Sequence, residues 1–141
     1  SLTNITEKYQ RFAKSLIAVG GAGSARVVKD THLGLAIELV AEVNPYQIPP
    51  PTIMPIRLFA GGKPLANAQI TVFTRHNPRD VEATKYQTDI NGRANFPLLP
   101  GRDYLVDSVI LRPSTGPNTV GGRPAAMWES VWASLTFQIP G

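Results

Sequence analysis

The chain has 141 residues and a mass of 15.3 kDa, which suits a single domain large enough to bury a core. Hydrophobic residues make up 43% of the sequence and charged residues 17%, a balance that excludes a disordered chain and a coiled coil. The formal net charge is +4, but the basic residues are spread singly along the chain, so no nucleic-acid interface is expected. Cysteine is absent, which excludes disulfides, thiolate zinc sites and thiol catalysis. No apolar run approaches the roughly 20 residues that a membrane-spanning helix needs.

The amino-terminal segment allows two interpretations. Asn4 and Glu7 have the spacing of a helix-capping pair, and an apolar stripe with helical spacing follows them, which predicts an amino-terminal helix. The stretch Phe12–Val19 also tolerates a period of two, so an added strand is the alternative. The predicted organisation is therefore a helix or strand with a glycine-rich connector in residues 1–32, followed by a β-domain in residues 33–141.

From residue 33 onward, apolar and polar residues alternate with a period of two, which is typical of strands. The first predicted strand covers residues 33–43 and places Glu38 and Glu42 on the face opposite its apolar row, where we expect them to be solvated. Further strands are predicted at Ile53–Ala60, Ala68–Arg75, Thr84–Thr88, Arg93–Leu98, Asp103–Arg112 and Trp128–Ile139. About seven short strands without intervening helices predict an all-β, antiparallel sandwich of the immunoglobulin-like kind.

Two connections have distinctive compositions. Asp89–Gly92 (DING) predicts a hairpin turn, because Asn-Gly readily adopts the positive φ angles that such a turn requires. Residues 113–127 are rich in glycine, proline, threonine and asparagine, and a loop of this length suggests a binding role.

Three segments resemble prealbumin-like, or carboxypeptidase-regulatory-like, β-sandwich modules: Gly62–Ala68 (GKPLANA), Thr88–Ala94 (TDINGRA) and Pro100–Tyr104 (PGRDY). In those modules a Gly-x-Pro-Leu-x-x-Ala turn leads into one strand, and Thr-Asp-x-x-Gly opens a later hairpin. The resemblance implies a sandwich topology and carries no information about chemistry.

Further segments narrow the resemblance: Leu33–Glu38 (LGLAIE), Asn44–Tyr46 (NPY) and Trp128–Phe137 (WESVWASLTF). With them the chain resembles, over most of its length, a bacterial periplasmic family of unknown function that is associated with nickel and cobalt uptake. The resemblance implies an exported module, periplasmic or secreted. Members of that family generally carry an additional amino-terminal segment with histidine, so this chain is expected to correspond to the carboxy-terminal part of such a protein.

His32 and His76 are the candidate metal ligands, because nickel and cobalt sites favour imidazole with supplementary carboxylates. They are the two histidines of the chain, and each lies at the boundary of a predicted strand. A selective site normally needs three or more convergent ligands, so two solvated histidines, with no cofactor bound, are the alternative.

Trp128 and Trp132 are four residues apart and so share one face of the last predicted strand. Together with Glu129 and Tyr46 they form a candidate binding surface, since exposed aromatic side chains give a large contact area at a low entropy cost. The alternative is that this face packs beneath another part of the chain.

Asp107 shares its predicted face with Leu105, Val109 and Leu111. On a core face its carboxylate would need a partner such as Arg57 or Arg112. The sequence leaves open whether this face is the core face or the outer face.

The sequence predicts a non-enzymatic, exported accessory or ligand-binding module, with a periplasmic protein or a small ligand as its partner. No histidine stands in a nucleophile setting such as Gly-x-Ser-x-Gly, which is why no enzyme is expected. Nickel or cobalt is the metal that the family resemblance implies. The alternative function is a prealbumin-like module that docks a protein or glycan through the Trp128 and Trp132 face or through residues 113–127.

Overall fold

The computed structural model describes residues 7–17, 30–113, 119–120, 123–124 and 128–141. These residues form an all-β structure, as predicted, and they contain no helix that could cross a membrane. The strands, in chain order, are β1 (Glu7–Ser15), β2 (Ile37–Ala41), β3 (Ile53–Ala60), β4 (Lys63–Pro64), β5 (Gln69–Asn77), β6 (Asp80–Gln87), β7 (Arg93–Pro97), β8 (Arg102–Pro113), β9 (Thr119–Val120), β10 (Arg123–Pro124) and β11 (Trp128–Ile139).

The strands form two main sheets. The first sheet has five strands in the order β1-β11-β8-β5-β6, and the second contains β2, β3 and β4, with β7 also paired to β3. Strands β9 and β10 form a separate antiparallel pair inside the predicted loop 113–127, most of which lies outside the described residues. β1 and β11 run parallel, so the prediction of a wholly antiparallel arrangement is wrong at this edge.

Both sheets contribute alternate side chains to one hydrophobic core. Ile56 and Leu58 of β3 in the second sheet are fully buried, as are Val106 of β8 and Val131 and Leu135 of β11 in the first sheet. The alternation predicted for β11 is therefore confirmed, and on β8 the inward row is the one opposite Asp107, a choice that the sequence leaves open.

The amino-terminal segment is a strand over residues 7–15, so the predicted helix is wrong there and the alternative of an added strand is right. The inward side chains Phe12 and Leu16 pack against the core, whereas Arg11 and Ala13 are exposed on the outer face. Pairing with β11 and burial of one face thus outweigh the local capping signal, because propensity is a weaker determinant than tertiary packing.

Glu38 is fully buried, which corrects the expectation that it is solvated. The predicted strand begins only at Ile37, and the preceding residues turn back so that three successive amides, those of Leu33, Gly34 and Leu35, donate to the Glu38 carboxylate at 2.8–3.2 Å. Gly34 has a φ of +79°, a conformation that residues with a side chain rarely adopt. This arrangement of amides around an anion explains the LGLAIE segment physically.

A buried charge cluster, defined by Lys14, Asp30 and Glu38, connects β1 to β2. The Lys14 Nζ atom lies 3.0 Å from Asp30 Oδ1 and 2.9 Å from Glu38 Oε2, and these side chains are at most 9% exposed. Asp30 Oδ2 also accepts a hydrogen bond from the Ala41 amide at 2.9 Å.

The pKa of Glu38 reflects this environment. Burial by itself raises the pKa, but hydrogen bonds from the Leu33 amide, the Lys14 ammonium and the Leu35 amide outweigh burial and hold the pKa of this carboxyl below its usual value. Glu38 is therefore stable as an anion inside the protein.

The turn at residues 89–92 forms as predicted, but its two flanking strands, β6 and β7, belong to different sheets. Asp89 Oδ1 accepts hydrogen bonds from the Asn91 and Arg93 amides, and Gly92 has a φ of +75°. A Cβ atom at Gly92 would lie 2.8 Å from the Leu58 carbonyl oxygen, so glycine is also required sterically. Because β6 pairs with β5 and β7 pairs with β3, the turn crosses from the first sheet to the second, and the predicted hairpin between its flanking strands is wrong.

Lys14→Met should destabilise the protein strongly, because it leaves two buried carboxylates without their shared cation. Removing one partner of a buried ion pair lowers the unfolding free energy by about 3–5 kcal/mol, a change that urea denaturation would measure. Lys85→Met on the exposed strand β6 is the matched control and should change stability by less than about 0.5 kcal/mol. Equal effects of the two substitutions would contradict a structural role for the buried charge cluster.

Candidate functional site

A cleft of about 780 Å³ lies on the outer face of the first sheet. This volume is in the range of about 300–1,000 Å³ that is typical of small-molecule sites. Two neighbouring rows of outward side chains form its floor. The first row contains Ser15, Thr136, Leu105 and Phe73, and the second contains Gln138, Asp103, Arg75 and Val81.

Apolar side chains dominate the centre and both flanks of the cleft. Leu105 of β8 and Phe73 of β5 are direct cross-strand neighbours in the middle of the floor. Ile17, just beyond β1, is 75% exposed on one flank, and Val81 of β6 is 57% exposed on the other. The cleft thus keeps apolar surface in contact with water, and a ligand that covered this surface would gain hydrophobic free energy.

Two pairs of polar side chains border this apolar centre, one on the β1 side and one in the second row of the floor. Ser15 Oγ and Thr136 Oγ1 are hydrogen-bonded to each other at 2.8 Å on the β1 side. Arg75 and Asp103 form an ion pair in which the Arg75 Nε and Nη2 atoms both donate to Asp103 Oδ2, at 3.3 and 2.9 Å. About half of the Arg75 side chain remains exposed (52%), so the ion pair borders the cleft and is open to solvent.

Tyr46, one of the candidate binding residues, lines the cleft and holds the end of β1 in place. Its hydroxyl donates to the Leu16 carbonyl oxygen at 2.6 Å and accepts from the Gln138 amide at 3.2 Å. The Leu16 amide donates to the Thr136 carbonyl oxygen at 2.9 Å, as in a parallel ladder, so the Tyr46 hydroxyl stands where the next ladder bond would form. The NPY segment supports this position, because Asn44 Oδ1 accepts from the Tyr46 amide in a local turn.

The other three candidate binding residues lie outside the cleft. Trp128 is 48% exposed at the far end of β11, and the exposed Leu111 of β8 lies opposite Ser130, two residues further along β11. Trp132 lies between this end and the cleft, with the Arg11 guanidinium 5.1 Å from its ring centre. Glu129 is buried and accepts a hydrogen bond from Arg112 Nε at 3.0 Å. Tyr46 and these three residues therefore do not form one continuous surface.

The two histidines lie on different sheets. His32 stacks on Phe59 of β3 with ring centres 4.3 Å apart, and its Nε2 atom lies 3.6 Å from Glu38 Oε1. His76 is exposed at a register irregularity near the end of β5. Lys14 already provides the cation for the carboxylates near His32. In the part of the chain that the structure describes, no group of three or more histidine, aspartate or glutamate side chains could hold a metal ion.

Asp107 lies on the outer face, in the row next to the floor of the cleft, and its neighbours are Ser134 and Arg11 rather than Arg57 or Arg112. Burial raises the pKa of Asp107, while the charge of Arg11 and the hydrogen bond with Ser134 act in the opposite direction. Its Oδ1 atom is buried and has no hydrogen-bond partner among the described residues.

The sequence did not identify Leu105, Asp103, Phe73 and Arg75 as a site. Alternation indicates which residues share a face of each strand, and the PGRDY segment contains Asp103. What was missing is the pairing register of β5 with β8, which places Phe73 beside Leu105 and Arg75 beside Asp103.

A family model described as Domain of unknown function (DUF4198) matches residues 3–110. No curated protein and no solved structure matches the chain. The matched range includes β1, β5 and most of β8, and so covers much of the cleft and all of the buried charge cluster.

Asp107→Asn should stabilise the protein more at neutral than at acid pH. Because the pKa of Asp107 is raised in the folded protein, the folded state binds this proton more tightly than the unfolded chain, and wild-type stability is lost as the pH rises through this pKa. Asparagine does not titrate, so the difference in unfolding free energy should grow in favour of the variant between about pH 3 and pH 7, as urea denaturation would show. A difference that stays constant across this range would contradict the inferred direction.

Proposed function

We propose that this chain, which belongs to the family of the Domain of unknown function (DUF4198), is a non-enzymatic, exported module that binds a small ligand. The observation that carries the proposal is the cleft on the outer face of the first sheet, with its exposed apolar flanks and its apolar centre at Phe73 and Leu105. The ligand is expected to have an apolar body, because most of the side chains around the cleft are aliphatic or aromatic.

The arrangement of titratable groups supports a binding role rather than catalysis. Neither His32 nor His76 lines the cleft, so no imidazole base stands beside a bound ligand. The charged groups of the floor, Arg75 and Asp103, are engaged with each other and are not placed as a nucleophile and its base.

The two sheets and their common core also support the finer proposal of a prealbumin-like sandwich, to which β1 is an added parallel strand. Export to the periplasm is proposed from the family resemblance of the LGLAIE, NPY and WESVWASLTF segments.

Leu105→Lys should weaken binding of an apolar ligand, because it places an ammonium in the centre of the cleft floor. The probe is the uncharged fluorophore N-phenyl-1-naphthylamine, whose emission rises in apolar surroundings, and its affinity should fall at least about tenfold, which corresponds to about 1.4 kcal/mol.

The control for this experiment is Leu111→Lys, the same substitution on the same face of β8 but outside the cleft, where Leu111 is 68% exposed. It should leave the affinity unchanged. Equal affinities of both variants and the wild type would contradict binding in the cleft.

The link to nickel or cobalt uptake is the part of the proposal that rests on the resemblance alone. Calorimetric titration of the protein with nickel or cobalt at neutral pH tests it. Heat above the dilution of metal into buffer, lost in His32→Ala or His76→Ala, would support a metal-binding role. Heat equal to the buffer dilution would contradict it.

A second candidate function is docking of a protein or glycan at the far end of the first sheet. The observation that favours it is the exposure of Trp128, Leu111 and Val109 on one face, each at least 41% exposed. The same pair of variants separates the two surfaces. Loss of naphthylamine binding in Leu111→Lys, with naphthylamine binding intact in Leu105→Lys, would favour this end of the sheet over the cleft as the binding surface.

A further inference from the structure

We propose that the ligand of the cleft is a zwitterionic amphipath, which places an anionic group on Arg75 and a cationic group on Asp103 while its apolar body covers Phe73 and Leu105. This inference rests on the proposed function, because it assigns a chemical class to the ligand of the same cleft.

The geometry of the Arg75–Asp103 ion pair leaves N–H donors of Arg75 and one carboxylate oxygen of Asp103 for a ligand. Both Arg75 nitrogens that bond to Asp103, Nε and Nη2, converge on the same oxygen, Oδ2. Within the described part of the chain, neither Arg75 Nη1 nor Asp103 Oδ1 makes a hydrogen bond. The two side chains are 52% and 40% exposed at the cleft, so both atoms belong to groups that a ligand can reach.

The charges of the pair favour a head group that carries both signs. A carboxylate or phosphate could bond to the Arg75 guanidinium, but it would stand beside the Asp103 carboxylate and be repelled by it. A ligand ammonium that bonds to the Asp103 carboxylate would likewise be repelled by the neighbouring Arg75 guanidinium. A head group with both charges satisfies both partners, and the remaining N–H groups on Arg75 Nη1 and Nη2 can bond to an anionic group with two oxygens.

The positions of the two rows place the head and the body of the ligand side by side. Arg75 and Asp103 are cross-strand neighbours whose charged groups are in contact, with Arg75 Nη2 2.9 Å from Asp103 Oδ2, so a single head group that carries both charges can reach both side chains. Phe73 and Leu105 occupy the next outward row on the same two strands, about 7 Å along the strand direction. A ligand whose charged head continues directly into an apolar body therefore fits both rows at once.

Such a ligand could be a lipid with a zwitterionic head group or a free apolar amino acid. Isothermal titration calorimetry with dodecylphosphocholine, below its critical micelle concentration, represents the first source, and L-tryptophan represents the second. Dodecyltrimethylammonium and dodecanoate provide a singly charged cation and anion with comparable chains.

We expect the wild type to bind at least one zwitterion at least about tenfold more tightly than either singly charged chain. Arg75→Gln and Asp103→Asn are the matched variants, since each removes one charge from an exposed ion pair whose loss costs little stability. Each should weaken binding of the zwitterion about tenfold. Arg75→Gln should then favour the cation, and Asp103→Asn should favour the anion.

Two results would overturn the inference. Equal affinity for all the dodecyl chains, with no effect of either variant, would mean that the head group is not recognised. A zwitterion affinity that Asp103→Asn leaves unchanged or increases would mean that the ligand is a simple anion. In both cases the uncharged naphthylamine probe tests separately whether the cleft binds an apolar ligand. If the wild type binds the probe more tightly than Leu105→Lys does, the proposed binding function stands and only the zwitterionic head group is rejected.

Discussion

The buried charge cluster of Lys14, Asp30 and Glu38 is the interaction on which the rest of the molecule depends. A lysine ammonium and two carboxylates inside a protein are costly unless each is paired, and here each is paired. Glu38 also accepts hydrogen bonds from successive amides, which makes its charge stable where it is buried. The cluster therefore fixes three parts of the chain relative to one another: β1, the segment before β2, and β2 itself.

The buried charge cluster determines the position of one flank of the cleft. Ser15 follows Lys14 directly, and together with Leu16 and Ile17 it forms the flank of the cleft on the β1 side. The hydroxyl of Tyr46 donates to the Leu16 carbonyl oxygen and accepts from the Gln138 amide of β11. These two hydrogen bonds attach this flank to β11. An edge strand held only by its backbone ladder would be easily opened, whereas these side-chain contacts give the flank a defined position.

The sequence was sufficient for features that depend on local pattern. Alternation predicted most of the strands and the inward row of β11, and the Asn-Gly pair predicted the turn at residues 89–92. It was not sufficient where a partner distant in sequence decides the outcome. Glu38 has the pattern of a solvated residue, and only Lys14 and the amides around Gly34 make its burial possible. The amino-terminal helix was predicted from local capping, which cannot detect the parallel pairing of β1 with β11.

The cleft could not be predicted for a related reason. Alternation specifies which face of a strand a side chain occupies, but it does not specify which residues of two strands stand side by side. The site consists of cross-strand neighbours, so it exists only once the register of β5, β8 and β11 is known. Trp128 and Trp132 are candidates from sequence alone because exposed tryptophans often bind partners, whereas Phe73 and Leu105 form a site only through their cross-strand neighbours.

Amide hydrogen exchange at Leu16 tests the central claim most directly, because this amide donates the last ladder bond between β1 and β11, two residues beyond Lys14. The account predicts that in Lys14→Met the Leu16 amide exchanges much faster than in the wild type, and that its opening free energy falls below that of core amides such as that of Leu135 on β11. If the Leu16 amide kept its wild-type protection while the Lys14 charge was absent, the end of β1 would be held without the buried charge cluster, and the account would be contradicted.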